Sequence, residues 1–441
     1  MQKNQKFAAK NVTGWKATLA VSMTNYIEAG SIIAAASSLT LWQEYLGLNS
    51  VKVGLLSALS ANALGAAIGA LIGGYLTDRY GRKIIFNYDL LIYMFGAALI
   101  AASINFPMLL LGTIIIGMAV GAGVPVAWTY ISEEAPKEKR ASRVGATQLA
   151  WSIGPALTFV LATLAAPLGL LGSRLIFLHL LVIAFFIWYL RRGLPESKIW
   201  EEQKRQEQKD KTKGIIQKNA LKELFTLKAN RQALVLLLGI YLFWNLTAGA
   251  MGYFMPYIYE NVGGLSTAQA NGLQSVLWTF TVITTYFGFM KLADKYSRKL
   301  IFGIGAIMGV VAWIILTVSP MTWPTLIAFV LLWGSAAGIG AQAFYALWTT
   351  ELFPTRYRAT AQGIMYFIVR AGIAIWSFVL PTLMDKLGFV VAGVVMIVFL
   401  IIHAIIGIVM APNTQGKTLQ EIEKERYGDE AMKNRSHNLY I

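Results

Sequence analysis

Two ionisable residues stand inside stretches that otherwise read as hydrocarbon: Glu28, in SMTNYIEAGSII, and Arg370, in MYFIVRAGIAIW. A charge in such a setting is costly, so each is a candidate for binding, pairing or proton transfer. A carboxyl held among apolar groups can exchange a proton near neutral pH. A guanidinium can grip a carboxylate, sulfonate or phosphate through two parallel hydrogen bonds, or pair with Glu28 itself. Uncharged polar groups share these stretches: Asn25, Asn62, Gln148, Asn245, Gln274, Gln342, Tyr345, Tyr366 and His403, with Trp151, Trp244, Trp278, Trp348 and Trp376 beside them. Gln148 and Trp151 are three apart and so share a helix face. Metal chemistry finds no support. Cysteine is absent, His179, His403 and His437 are far apart, and no HExxH spacing occurs. No nucleophile–base constellation argues for an enzyme, and no cofactor is implied.

The elements that must position these residues follow from composition. Of 441 residues, 56% are hydrophobic and 14% charged, against roughly 25% charged in a soluble domain. That is too little charge to cover soluble surfaces of this size, and lipid as the solvent resolves the mismatch. Runs of about 20 apolar residues, enough to cross a bilayer, predict helices near 15–37, 51–76, 84–104, 107–130, 143–166, 171–190, 233–257, 270–291, 299–319, 323–348, 360–384 and 387–410. The net charge of +16 does not point to nucleic acid, because the basic residues cluster between apolar runs. Alternate connections hold DRYGRK (78–83), EEAPKEKR (133–140), the stretch 191–232, DKYSRK (294–299), ELFPTRYR (351–358) and the tail, while the others carry little more than Lys52, Arg174 and Lys386. This asymmetry predicts that both termini and the central stretch are cytoplasmic. MQKNQKFAAKNVTGWK leads into its apolar run without a small-residue cleavage pattern and reads as a retained first helix. EEQKRQEQKDKTKGIIQK (201–218) reads as a solvated helix or linker.

The most specific signal is a repeat. Asp78-Arg79-Tyr80-Gly81-Arg82-Lys83 returns as Asp294-Lys295-Tyr296-Ser297-Arg298-Lys299. Glu133, Pro136 and Arg140 return as Glu351, Pro354 and Arg358, and Pro195-Glu196-Ser197 falls where Pro412-Asn413-Thr414 stands in the second half. Three landmarks in one order at nearly one spacing predict two parallel six-helix repeats around a site at mid-depth. The expected division is a bundle over 1–190, a central loop over 191–232, a second bundle over 233–410 and a tail over 411–441.

Gly74-Tyr75-Leu76-Thr77-Asp78-Arg79-Tyr80-Gly81-Arg82-Lys83 resembles the signature loop between helices 2 and 3 of the major facilitator superfamily. Ser132–Arg140 and Leu194-Pro195-Glu196-Ser197 resemble the pattern of its sugar-porter branch. The resemblance implies an all-α membrane protein of twelve transmembrane helices in two pseudo-symmetric six-helix bundles. It also implies that Asp78, Arg82, Glu133 and Arg140, with Asp294, Arg298, Glu351 and Arg358, latch the cytoplasmic face. Gln148 matches the glutamine that sugar porters place on helix 5 for a sugar hydroxyl. Elsewhere the chain departs. The glutamine pair of helix 7 is replaced by FWNLTAG (243–249), the tryptophan of helix 10 by Ala346, and the helix 4 arginine that partners the acidic group by Thr113. Glu28 stands one residue beyond that acidic position, and Arg370 falls where the branch carries an uncharged residue.

The expectation is therefore proton-coupled uptake of a polyhydroxylated solute, a sugar or an inositol, by alternating access across a bacterial inner membrane, by a monomer. Amides with indole and phenol faces suit such a ligand. Glu28 would carry the proton, with Arg370 as its partner. Asn25, Gln148, Asn245, Gln274 and Gln342 would meet hydroxyls, and Trp151, Trp244, Tyr345 and Trp348 the ring. One alternative is symport of a sugar acid or other organic anion held by Arg370; export and passive uniport are others, and a non-transporting nutrient sensor is an alternative of another class.

Overall fold

The computed structural model describes residues 13–48, 52, 55, 56, 58–212, 220–355 and 357–436. The first twelve residues of the amino-terminal segment and part of the predicted second helix lie outside them. The elements are α1 (Gly14–Leu46), α2 (Leu64–Tyr80), α3 (Arg82–Ala101), α4 (Phe106–Glu134), α5 (Arg140–Ala165), α6 (Leu170–Arg191), α7 (Lys198–Thr212), α8 (Ala220–Thr226), α9 (Lys228–Asn261), α10 (Thr267–Thr284), α11 (Arg298–Val318), α12 (Trp323–Ile339), α13 (Ala341–Leu352), α14 (Arg358–Met410) and α15 (Leu419–Ser436). No strand occurs among the described residues.

Local chemistry sets several starts. Asn105 caps α4 by accepting the Met108 N–H at 3.0 Å, with Pro107 in the first turn, where a missing N–H costs nothing. Ser266 and Gln269 form a reciprocal capping box at the start of α10.

Among the described residues, nine helical stretches are long and apolar enough to cross a membrane. The three shortfalls are informative. α1 and α10 carry buried polar residues, among them Asn25, Glu28 and Gln274, and α2 is only 17 residues long. With these three the arrangement is consistent with the twelve expected helices. Large apolar side chains such as Leu71, Phe95, Phe186 and Ile375 are exposed and face the surroundings.

α1–α6 pack mainly among themselves, as do α9–α14, and the two sets meet chiefly along α2 with α14 and α5 with α10. Small residues make the closest of these contacts possible. A Cβ on Gly121 of α4 would lie 2.1 Å from Ala66 O of α2, and one on Gly363 of α14 would lie 2.3 Å from Ala70 O. In lipid, where apolar burial does not drive helices together, such backbone approach does.

Four predicted helices differ in detail. The second, expected over 51–76, is interrupted by a turn at 59–63 and runs regularly only from Leu64 to Tyr80. The tenth, expected as one piece over 323–348, is divided at Gly340 into α12 and α13. The eleventh and twelfth run together as α14, separated only by Gly388, whose φ of 83° a side chain would strain. The basic stretch 201–218 begins within α7; residues 213–219 lie outside the described residues.

Candidate functional site

At mid-depth between the two sets, Arg370 of α14 donates through Nη2 to Glu28 Oε1 of α1 and to Tyr366 OH, and Tyr366 OH donates to the same carboxylate. Through Nη1 it donates to Asn62 Oδ1 at 2.9 Å and to the Asn62 carbonyl at 3.3 Å. Its guanidinium carbon lies 4.7 Å from the Tyr366 ring centre. Glu28 and Arg370 are 1% and 5% exposed. An ion pair this buried holds only because its remaining donors and acceptors are also satisfied.

An aromatic assembly surrounds the pair. Trp151 Nε1 lies beside the Glu28 carboxylate without completing a hydrogen bond, and its ring meets Trp278 of α10 at 5.2 Å. Trp128 of α4 donates to Asn25 Oδ1 at 3.2 Å and touches the rings of Tyr345 and Tyr366. Tyr345 stacks on Tyr241 at 3.8 Å, and Tyr241 stacks in turn on Trp244 at 6.4 Å. The structure thus brings together Asn25, Glu28, Trp151, Trp244, Tyr345 and Arg370 of the expected site.

Gln148 lies one turn before Trp151 on α5, and Gln274 one turn before Trp278 on α10. Because the two helices run in opposite senses, the glutamines flank the tryptophan pair on its two sides. Both are buried, and Gln148 Oε1, Gln274 Nε2 and Tyr345 OH have no hydrogen-bond partner. Asn245 turns its amide back to Tyr241 O at 2.9 Å, and Gln342 is buried on α13. Trp348 is the exception. It packs against Phe302 and Phe344 within the second set, on the side of His403, and does not join the cluster.

The eight charges expected at the basic end form two matched groups. Glu133 of α4 accepts from Arg82 of its own set at 2.8 and 3.1 Å and from Arg358 of the other at 2.7 Å. Glu351 of α13 accepts from Arg298 of its own set at 2.7 and 2.8 Å and from Arg140 of the other at 3.1 Å. Asp78 accepts the N–H groups of Ala359 and Thr360, at 3.3 and 2.7 Å, at the start of α14. Asp294 accepts those of Ala141 and Ser142, at 3.0 and 2.9 Å, at the start of α5. Each aspartate thus sits at the positive end of a helix belonging to the other set. Burial pushes the Asp294 carboxyl above its ordinary range, while the N–H groups of Ser142 and Ala141 and the charge of Arg298 pull it back.

Some participants were not among the expected site residues. Tyr366 and Asn62 complete the central pair. Glu196 accepts the N–H groups of Arg82 and Lys83, each at 3.0 Å, capping α3. Thr414 Oγ1 accepts from Arg298 at 2.7 Å. Glu196 and Thr414 belong to the third landmark of the repeat, so the signal was present in its position though not in its chemistry.

A helical bundle with membrane-length apolar spans, whose two sets meet around a buried polar centre and are tied by ion pairs at one end, has the architecture of a transporter. The family described as "Sugar (and other) transporter" matches residues 30–425, and the chain belongs to it. It is 44% identical over 414 residues to the minor myo-inositol transporter IolF of Bacillus subtilis, covering 94% of each chain. It is 27% identical over 422 residues to the glucose transporter GlcP of Staphylococcus epidermidis, covering 86% of this chain and 89% of that one. Its fold is similar to that of the proton:xylose symporter XylE from E. coli in complex with 6-bromo-6-deoxy-D-glucose, with a TM-score of 0.80, 19% identity and coverage of 95% and 100%.

Proposed function

We propose that the chain takes up a neutral polyhydroxylated ring, an inositol or a sugar, together with a proton, across a bacterial inner membrane. The observation that carries this reading is the Glu28–Arg370 pair, which joins α1 of one set to α14 of the other at mid-depth. Protonating Glu28 removes the anion that holds the sets together there, so proton uptake is linked directly to their relative movement. The basic end is cytoplasmic in this reading, and its closed ionic groups belong to a state open to, or occluded from, the opposite side. The bundles over 1–190 and 233–410 move about the site, with 191–232 linking them and 411–441 as a cytoplasmic tail.

Support for a neutral solute comes from Arg370 itself. Both of its terminal nitrogens are engaged by Glu28, Tyr366 and Asn62, so an organic anion would have to displace a carboxylate already in place. The unpartnered atoms of Gln148, Gln274 and Tyr345 are of the kind that suit hydroxyl groups. The first relative named above is a myo-inositol transporter, which makes myo-inositol the first solute to test.

The test is uptake of labelled myo-inositol into proteoliposomes with and without an inward proton gradient. Accumulation is expected to follow the gradient in the unmodified protein. In Glu28→Gln it should be lost, while exchange of inside for outside solute continues. Gradient-driven accumulation that survives in Glu28→Gln would overturn the assignment of the proton carrier.

A further inference from the structure

The turn at 59–63 does more than interrupt a helix. The first regular hydrogen bond of α2 runs from Ala67 N–H to Ala63 O at 3.0 Å. The Asn62 carbonyl therefore stands just outside the ladder, freed from any helical donor, while the Asn62 N–H is held by Ser60 Oγ at 3.2 Å. Both oxygens of this one residue face Arg370 Nη1. Nη2 faces Glu28 and Tyr366. The guanidinium thus has two edges with different kinds of partner: one ionisable, the other neutral and fixed to the backbone of the first set.

We infer that Asn62 is a positioning residue for proton coupling: it holds Arg370 while Glu28 is protonated, and so sets the pH at which the central pair opens. This rests on the reading of Glu28 as the proton carrier. A guanidinium that loses its only anion in a low-dielectric interior is left uncompensated. Two amide oxygens on its other edge, each receiving a charge-assisted hydrogen bond, offset part of that loss. With them in place Glu28 is easier to protonate; without the side-chain oxygen, protonation strands more of the charge and requires more acid. A carboxylate at 62 acts in the opposite direction, because it neutralises Arg370 on its own and repels the charge on Glu28.

The other groups around Glu28 leave this role to Asn62. From α14 they are Arg370 and Tyr366, from α9 Tyr241, and from α5 the non-titrating Trp151. α4 presents Trp128, which is bonded to Asn25. The titratable residues of α6 near α1 are already engaged, His179 with Tyr26 and Arg191 with Asp89 and Thr24.

The experiment is the pH profile of myo-inositol uptake in proteoliposomes for the unmodified protein, Asn62→Ala and Asn62→Asp. Removing one hydrogen bond to a charged group should move the midpoint about one pH unit toward acid in Asn62→Ala. Asn62→Asp should move it toward alkali. A purely structural role for the turn would lower the amount of active protein without displacing either midpoint. The two opposite shifts cannot both arise from damage to folding, and Asn62→Asp carries the test alone if the alanine variant does not fold. Midpoints unchanged in both variants, with the unmodified protein still driven by the gradient, would overturn the inference while leaving Glu28 as the carrier. Uptake indifferent to the gradient in the unmodified protein would overturn both.

Discussion

Replacing Glu133 by glutamine isolates what one charge contributes to closing the basic end. Glu133 accepts two hydrogen bonds from Arg82 within its own set, which movement of one set against the other would leave in place. The bond from Arg358, at 2.7 Å, crosses between sets, so separation of the sets at that end would break it. A hydrogen bond to a charged group contributes about 1.5–3 kcal/mol, so its loss should shift the closed-to-open ratio roughly ten- to a hundredfold. Stranding the buried Arg358 guanidinium pushes the effect toward the upper value. The mirror group on Glu351 is untouched, so closure weakens without being abolished. Because the chain has no cysteine, spin labels can be placed without background at the exposed Lys137 and Lys295, one on each set. Glu133→Gln should lengthen the distance between them in a substantial share of molecules, and Glu133→Gln with Glu351→Gln should do so in most. A distance distribution that stays put in the double variant would refute the idea that these charges hold the end closed.

Two further outcomes follow from the same geometry. Gln148→Ala and Gln274→Ala should each weaken myo-inositol binding about threefold to tenfold, the range of one neutral hydrogen bond. Calorimetry on the purified protein measures this, and unaltered affinity in both would move the solute away from the tryptophan pair. Asp294 gives a pH dependence whose sign is fixed by burial. Its carboxyl is pushed up in the closed state, so that state takes up a proton more readily than an open, solvated one, and acidification just above the ordinary carboxylate range favours closure. In Asp294→Asn the Lys137–Lys295 label distance should lose that part of its response to pH, and an identical response would assign it elsewhere.

The hydrophobic runs and the repeated charge motif made the twelve-helix plan legible, because lipid imposes both a length and a polarity on every span. The eight loop charges were legible for the same reason: a motif repeated at one spacing must fall at equivalent helix ends. Within the cavity the signal was thinner. Glu28 and Arg370 stood out because each is expensive on its own, yet nothing in sequence said that Arg370 would also find Asn62. That contact depends on a turn at Ser60-Ala61-Asn62-Ala63, which holds neither glycine nor proline. The division at Gly340 was hidden in a run with several glycines, any of which lets helices pack without breaking them. Trp348 could not be aimed from periodicity, since α13 is buried on every side and both of its faces look equally apolar in sequence.

The crossed capping at the basic end has a consequence for observation. The first turns of α5 and α14 satisfy their amides with carboxylates borrowed from the other set. Separation of the sets would take those acceptors away and fray the turns, while the helix interiors would keep their ladders. Amide exchange at Ala141, Ser142, Ala359 and Thr360 therefore counts openings directly, in protein carrying no label or substitution. Two helix ends far apart in the chain should exchange in step, and the cadence of a transport cycle becomes readable from four backbone hydrogens.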